Sequence, residues 1–387
     1  MTESKYAQRG VSAGKEDVHA AIKDLDKGLF PNAFCKILPD LAAGDPNYVN
    51  IMHADTAGTK TSLAYLYWKE TGDLSVWEGI VQDSMVMNLD DMAAAGMMND
   101  FILSSTIGRN KNLVDGSVVS ALIGAQKKLA DKMASFGVNL HLAGGETADV
   151  GDIVRTADVG FTAFGRFPKE DVIDIDIQDG DVIIGLASYG QASYEDEYNS
   201  GIGSNGLTFA RHETLIKAYA DKYPETYDPS LNDDVVYTGK SFLTDTFEDA
   251  PLNVGKLLLS PTRTYVPVIK VLLEKLRAHI NGIIHCTGGG LTKVLHFSEG
   301  MTIYKGNPLP IPYVFRIIQQ QTNTPWKEMY QVFNMGQRLE VYLPKEHAQE
   351  VIDIAKSFNI DAQLMGVCKK GKKQVVVSSP HGEFVYE

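Results

Sequence analysis

The chain has 387 residues, 44% of them hydrophobic and 22% charged, which exceeds the usual size of one hydrophobic core and predicts two soluble globular domains. A formal net charge of -13 excludes a general nucleic-acid or acidic-membrane binder, because phosphate backbones demand clustered Lys and Arg that this sequence does not show. Residues 1–17 carry no apolar signal core and no run reaches the length of a membrane span, so a cytoplasmic protein without a membrane partner is expected. Cys35, Cys286 and Cys368 are widely spaced and form no C-x-x-C pair, so they read as buried free thiols.

In chain order, a short arm with Gly10 and Gly14 precedes a modest helical pattern over residues 17–29. Residues 48–52 read as a strand that delivers His53, Asp55, Gly58 and Lys60 to its end. A helix is predicted over 81–95, with Met85, Leu89 and Met92 on one stripe and Asp90 and Asp91 near its end. The clearest amphipathic helix spans 114–136, where Val118, Leu122, Ala125, Leu129 and Met133 recur at three and four, and Gly137 stops it. A short strand at 140–142 leads to a predicted loop, Gly144-Gly145-Glu146-Thr147-Ala148-Asp149, and 160–165 is again strand-like. The charged run Lys169-Glu170-Asp171 is the expected boundary, giving an N-terminal domain over 1–169 and a C-terminal α/β domain over 170–387.

The second half restarts with a continuously apolar strand at 182–187, of the kind buried on both faces. An acidic, Tyr-rich segment at 192–200 follows, then Gly201 to Gly206 open a helix predicted over 207–220. Residues 264–276 read as a helix with Thr264 as N-cap and Pro267 in the first turn. A strand at 283–285 enters Thr287-Gly288-Gly289-Gly290 and a further helix. A strand at 339–343, a helix at 346–358 and a hairpin around 375–377 and 384–386 complete an α/β chain with two domains.

Small-residue loops at Gly58, Gly144, Gly201 and Gly288 expose backbone N–H groups suited to phosphate. Asp55, Asp90, Asp91, Glu146 and Asp149 lie beside three of these turns, and carboxylates near phosphate repel it unless a divalent cation lies between. That combination predicts magnesium-nucleotide chemistry, since Mg²⁺ bridges one or two carboxylates to substrate phosphates. His285, just before the Gly triplet, is placed for general acid or base work. No nucleophile elbow, Cys-His metal spacing or dinucleotide fingerprint accompanies these loops.

Taken in order, the loops resemble the aminoimidazole ribonucleotide synthetase (phosphoribosylformylglycinamidine cyclo-ligase) family. The matching residues are Tyr6 with Gly10-Val11 and Ala13-Gly14, Asp55 with Gly58-Thr59-Lys60, Asp91 with Gly96, Gly144 to Ala148, and Ser204-Asn205-Gly206. Pro261-Thr262-Arg263 with Tyr265-Val266, His285 with Thr287 to Gly290, and Glu328-Met329-Tyr330 with Phe333-Asn334 and Gly336 complete the set.

The resemblance implies a homodimer of two-domain subunits that bind ATP and magnesium in a cleft. It implies ATP-dependent ring closure of formylglycinamidine ribonucleotide to the aminoimidazole ribonucleotide in purine synthesis, with release of ADP and phosphate. Asp55 and Asp91 would hold magnesium, Lys60 would neutralise the transferring phosphoryl group, and Glu146 would assist metal binding or proton transfer. Gly58, Thr59, Gly144, Gly145, Ser204, Asn205, Gly206, Thr287, Gly288, Gly289, Gly290 and Asn334 would contact nucleotide or substrate.

The chain is a divergent member by this reading. His53 and Thr56 replace two glycines of the family's Asp loop, Gly203 stands where a histidine is usual, and Asp90 replaces an asparagine. Gly336-Gln337-Arg338-Leu339 replaces Gly-Ile-Gly-Met, and the acidic segment 192–200 is extra. Proton transfer by the missing histidine would fall to His285 or to the insertion. The competing readings are a selenophosphate synthetase or thiamine-monophosphate kinase type of enzyme, or a nucleotide-binding regulator that lost chemistry.

Overall fold

The computed structural model describes residues 6–11, 20–21, 24–98 and 100–387. Two sheets organise it. The first holds β1 (Ile37–Pro39), β2 (Tyr48–Thr56), β3 (Phe101–Arg109), β4 (Leu140–Asp149) and β5 (Ala157–Pro168) in the order β1-β2-β5-β3-β4. β3 and β4 run parallel, and the other pairs are antiparallel. Helices α1 (Lys60–Thr71), α2 (Val76–Ala94) and α3 (Gly116–Ala134) pack against one face only. Among the described residues the other face stays open, and β3 accordingly alternates buried and exposed residues. α3 forms as its sequence predicts: Asp115 accepts the Ser117 N–H at 2.8 Å as N-cap, and Val118, Leu122, Leu129 and Met133 are buried on one stripe.

The second sheet has seven strands in the order β12-β11-β8-β10-β6-β9-β7. These are β6 (Val182–Ala187), β7 (Gly282–His285), β8 (Met301–Lys305), β9 (Gln337–Leu343), β10 (Ala362–Lys370), β11 (Gln374–Ser379) and β12 (Gly382–Tyr386). β6 is buried along its whole length between β10 and β9, which explains its unbroken apolar run. The hairpin expected at the end of the chain is β11–β12. All three cysteines are buried and free.

Several elements differ from expectation. Gly14 and residues 17–19 and 22–23 of the helix expected over 17–29 lie outside the described residues; 20–21 are helical, and 24–29 form turns and a bridge from Gly28 to Ile37. α2 starts at Val76, five positions before its apolar stripe becomes clear. The Gly144–Asp149 loop is strand: β4 runs through it, with a register shift opposite Leu103 and Ser105. Gly145 allows this, because a side-chain carbon there would stand 2.1 Å from the Ser105 carbonyl oxygen. The helix predicted over 207–220 splits into α4 (Leu207–Thr214) and α5 (Ala218–Lys222), since Leu215 turns extended and Leu215 and Ile216 bridge Ser241 and Gly239. After the short α6 (Val254–Leu259), Thr264 does not open α7 (Val266–Leu276); Tyr265 precedes it and the Thr264 hydroxyl is used elsewhere.

One charged pair fastens the start of the first sheet. Asp40 accepts from Arg166 Nε and Asn50 Nδ2, each at 3.0 Å, and from the backbone of Ala43 and Asp45. The Arg166 hydrogen bond, with these others, holds its carboxyl at about 2 against an ordinary 3.8. Its folded pKa lies below the unfolded one, so its stabilisation is present above 3.8 and is lost as pH falls through about 2. Melting temperatures of the parent and Arg166→Met should therefore differ most near neutrality and converge across that acid window; a gap independent of pH would refute the pairing.

Candidate active site

α2 is buried on nearly all sides, between β2 and β5 of the first sheet and α7 and β7 of the second half. Polar groups on such a helix must find partners, and each of its carboxylates does. Asp83 accepts from the Thr262 N–H at 2.7 Å, the Thr262 hydroxyl at 2.6 Å and Lys60 Nζ at 2.9 Å. Asp90 accepts from the Thr264 hydroxyl at 2.7 Å and the Tyr265 N–H at 2.9 Å. Asp91 Oδ1 lies 2.7 Å from His285 Nδ1, and its Oδ2 lies 3.5 Å from His53 Nε2.

Neighbouring carboxylates are thus driven apart. Burial pushes Asp90 up to about 7, against the pull of Thr264 and Tyr265. Burial also acts on Asp91, but the His285 hydrogen bond and the nearby Lys293 charge outweigh it and hold that carboxyl below its usual range. Asp91 is the ionised member, and its side chain retains 12% exposure where that of Asp90 has none.

The Asp loop reaches the same place from β2. His53 and Asp55 are two apart and share a strand face. Asn88 Nδ2 donates to the carbonyls of Ser84 and Phe161, so its Oδ1 accepts from His53 Nδ1 at 2.9 Å. His53 Nε2 then presents a lone pair toward Asp91 Oδ2, 3.5 Å away. Asp55 is half-buried, and its carboxylate accepts the Thr56 N–H at 2.7 Å.

Most of the predicted loops converge here. Thr59 and Thr208 hydroxyls meet at 2.8 Å, joining the Gly58-Thr59-Lys60 turn to the start of α4. Asn205 Nδ2 lies 3.9 Å from where a side chain on Gly288 would begin, so Ser204–Gly206 and Thr287–Gly290 are neighbours. Asn205 Oδ1 is buried with no hydrogen-bond partner among the described residues, an atom that calls for a bound donor. Gly206 packs on Phe333, and a side chain on Gly290 would stand 2.4 Å from the Phe333 carbonyl oxygen, which explains glycine at both.

Five predicted residues sit apart from the meeting point of these loops or have their polar groups already engaged. Lys60 is fully buried and its ammonium donates to Asp83, to the Gly203 carbonyl at 3.0 Å and to the Ser260 carbonyl at 2.6 Å, so all three of its donors are engaged. Asn334 is likewise occupied: its amide nitrogen donates to the Gly201 carbonyl, and its oxygen accepts from Ser188 and the Gly336 N–H. Glu146, with Gly144 and Gly145, is exposed on the edge strand β4. The register places Gly145 in one row with Ser105, Phe161 and Asp55, three strand steps or about 14 Å away.

Sequence reasoning missed Asp83, whose signal was its spacing of seven before Asp90 on the same helix. It offered the acidic insertion only as a stand-in for the missing histidine in proton transfer. Glu195 takes Arg263 in a two-bond fork at 3.0 and 2.5 Å, Tyr194 donates to the Thr264 carbonyl, and Asn199 donates to that of Pro261. The insertion therefore clamps the Pro261–Thr264 segment that supplies donors to Asp83 and Asp90.

Two family models cover these halves: AIR synthase related protein, N-terminal domain, over residues 38–167, and AIR synthase related protein, C-terminal domain, over 178–379. The chain belongs to the AIR synthase family. Relatives within it are phosphoribosylformylglycinamidine cyclo-ligases. That of Staphylococcus carnosus is 30% identical over 85% of this chain and 82% of its own. That of Carboxydothermus hydrogenoformans is 28% identical over 98% and 100%. The Methanocaldococcus jannaschii enzyme is 35% identical, in an alignment that spans 59% of this chain and 56% of that relative. Solved structures share the AIR synthase fold at low identity. The HypE-HypF complex aligns at TM-score 0.57 and 14% identity, covering 97% of this chain and 99% of that one. T. maritima PurL complexed with FGAR aligns at 0.54 and 13%, covering 97% and 49%.

Proposed function

We propose that this member of the AIR synthase family closes the imidazole ring of 5-aminoimidazole ribonucleotide in the cytoplasm, from formylglycinamidine ribonucleotide and ATP. The observation that carries the reading is the family match across both halves, with the loops at 58–60, 204–206 and 287–290 meeting around an ionised Asp91. The enzyme is an ATP-dependent ligase of purine biosynthesis. The amide oxygen of the substrate takes the terminal phosphoryl group of ATP, and ADP leaves. An internal nitrogen then attacks the activated carbon, and phosphate departs with the oxygen.

Residues 1–169 form the nucleotide and metal domain, and 170–387 complete the cleft. The donors at the Asp loop fit magnesium: Asp55 and Asp91 are hard oxygen ligands, and Asp91 Oδ2 faces a second acceptor 3.5 Å away. Among the described residues no cluster of three or more His, Cys, Asp or Glu side chains could hold a metal ion by itself, and substrate phosphates would supply the further ligands of a bound Mg²⁺. Bound there, the ion would spread the charge of the transferring phosphoryl group. Ser204, Asn205, Gly206 and Thr287 to Gly290 supply donors to nucleotide or substrate. Lys60 acts one step back, fixing the Gly203 and Ser260 carbonyls beneath those loops.

Purified protein with magnesium-ATP and formylglycinamidine ribonucleotide should release ADP and form the imidazole in equal amounts. No ADP above a control lacking the ribonucleotide would refute the reading.

The enzyme is further proposed to be a homodimer through the open face of its first sheet. Met52 and Ile102 are 62 and 43% exposed there, in one row through Phe164. In such a dimer Gly144, Gly145 and Glu146 act at the interface side. Met52→Asp with Ile102→Asp should halve the mass measured by light scattering; an unchanged mass would place the contact elsewhere.

A further inference from the structure

Two of the positions at which the sequence departs from the pattern it resembles are in contact. Gly203 has a φ of +69°, and a side-chain carbon on it would stand 2.0 Å from Arg338 Nη1 and 2.9 Å from Arg338 Cζ. The guanidinium therefore lies directly over a bare α-carbon. Arg338 is fully buried in β9, where Nη2 approaches Met87 Sδ at 3.2 Å and Nε donates to His285 Nε2 at 3.1 Å. Asp83, Asp90, Asp91, Tyr265 and Lys60 surround it.

The pairing with His285 is chemically specific. A buried arginine among three carboxylates would ordinarily take one of them in a fork, whereas this one directs Nε to an imidazole nitrogen. Guanidinium Nε–H only donates, so His285 Nε2 must be the acceptor and the ring proton must sit on Nδ1. That proton points at Asp91 Oδ1, 2.7 Å away. A run of directed contacts thus leads from Gly203 through Arg338 and His285 to Asp91.

We propose that Arg338, seated over the bare α-carbon of Gly203, is a positioning residue that fixes the ring tautomer of His285 and through it the aim of Asp91 at the phosphate loops. The last step rests on Asp91 serving the reaction described above; the tautomer and the Gly203–Arg338 coupling do not. Loss of an outer partner of a ligating side chain lowers activity by about 10- to 100-fold.

The test is a double-mutant cycle with a spectroscopic arm. Gly203→Ala and Arg338→Met should each lower kcat by about 10- to 100-fold with KM for ATP little changed, and the double variant should lose well short of the two losses combined. The backbone cost of a side chain at this φ is common to both backgrounds and cancels. Arg338→Lys, which keeps the charge and loses Nε, should not rescue kcat. In folded parent protein, ¹⁵N shifts of the His285 ring should show a single Nδ1–H tautomer, lost in Arg338→Met and in Gly203→Ala. Strictly additive losses, rescue by lysine, or an Nε2–H ring in the parent would each overturn the proposal. Gly203→Ala retains the arginine and carries the test if Arg338→Met does not fold. A parent with the expected tautomer and no ADP release would instead sink the reaction reading alone.

Discussion

Asp91→Asn should lower kcat by about 100-fold or more while the protein still melts close to the parent. Asparagine keeps the shape of the site: its oxygen can accept from His285 Nδ1 and its amide can donate to the lone pair of His53 Nε2, the two groups that Asp91 touches. It removes the negative charge. If Asp91 helps hold magnesium against phosphate, that charge is what the reaction uses, and the loss appears in kcat with little change in folding. The neighbouring Asp90→Asn should behave in the opposite way. Asp90 accepts one donor on each oxygen, so its amide leaves one of the Thr264 and Tyr265 donors stranded and costs about 1–3 kcal/mol of stability. Kinetics and thermal melts on both variants separate the two carboxylates; equal losses of activity with equal losses of stability would show that they do one job.

Lys60→Met should destabilise the enzyme by about 3–5 kcal/mol, because it leaves the Asp83 carboxylate buried without its cation. The effect is larger than a lost surface pair because neither partner has any exposure to water. The carbonyls of Gly203 and Ser260 lose a donor as well, so the join between α1, the loop before α4 and the Pro261 segment loosens together. Adding Asp83→Asn should recover part of the loss, since the double variant buries no unpaired charge. Denaturant melts of the four proteins measure this coupling. A stable Lys60→Met protein with a collapsed kcat would instead return Lys60 to direct contact with the phosphoryl group.

The fold was legible where one force decides. The apolar run at 182–187 and the stripe at 118–133 each match an element to within a few residues, because burial on two faces or one leaves a clear period. Gly144-Gly145 misled, since glycine reads locally as a turn, while its use here is to let β4 lie close on Ser105. The break at Leu215 depends on residues 239–241, which no local pattern displays. The site divides in the same way. Asp91 and His285 were each visible beside a glycine loop, yet their hydrogen bond joins positions 194 apart. Lys60 looked like a phosphate ligand because its burial and its three partners come from distant segments. Asp83, Glu195 and Arg338 gained roles only once the fold brought charge to charge.

The most direct test of this account is the position of Mn²⁺, a scattering substitute for Mg²⁺, bound with a non-hydrolysable ATP analogue in crystals of the parent enzyme. The anomalous peak should lie within bonding distance of carboxylate oxygens from both Asp55 and Asp91, and should be lost in Asp91→Asn. A peak held by other residues, with Asp91 touching only His285 and His53, would contradict the assignment of Asp91 to the metal and return the whole α2 carboxylate row to a purely structural role.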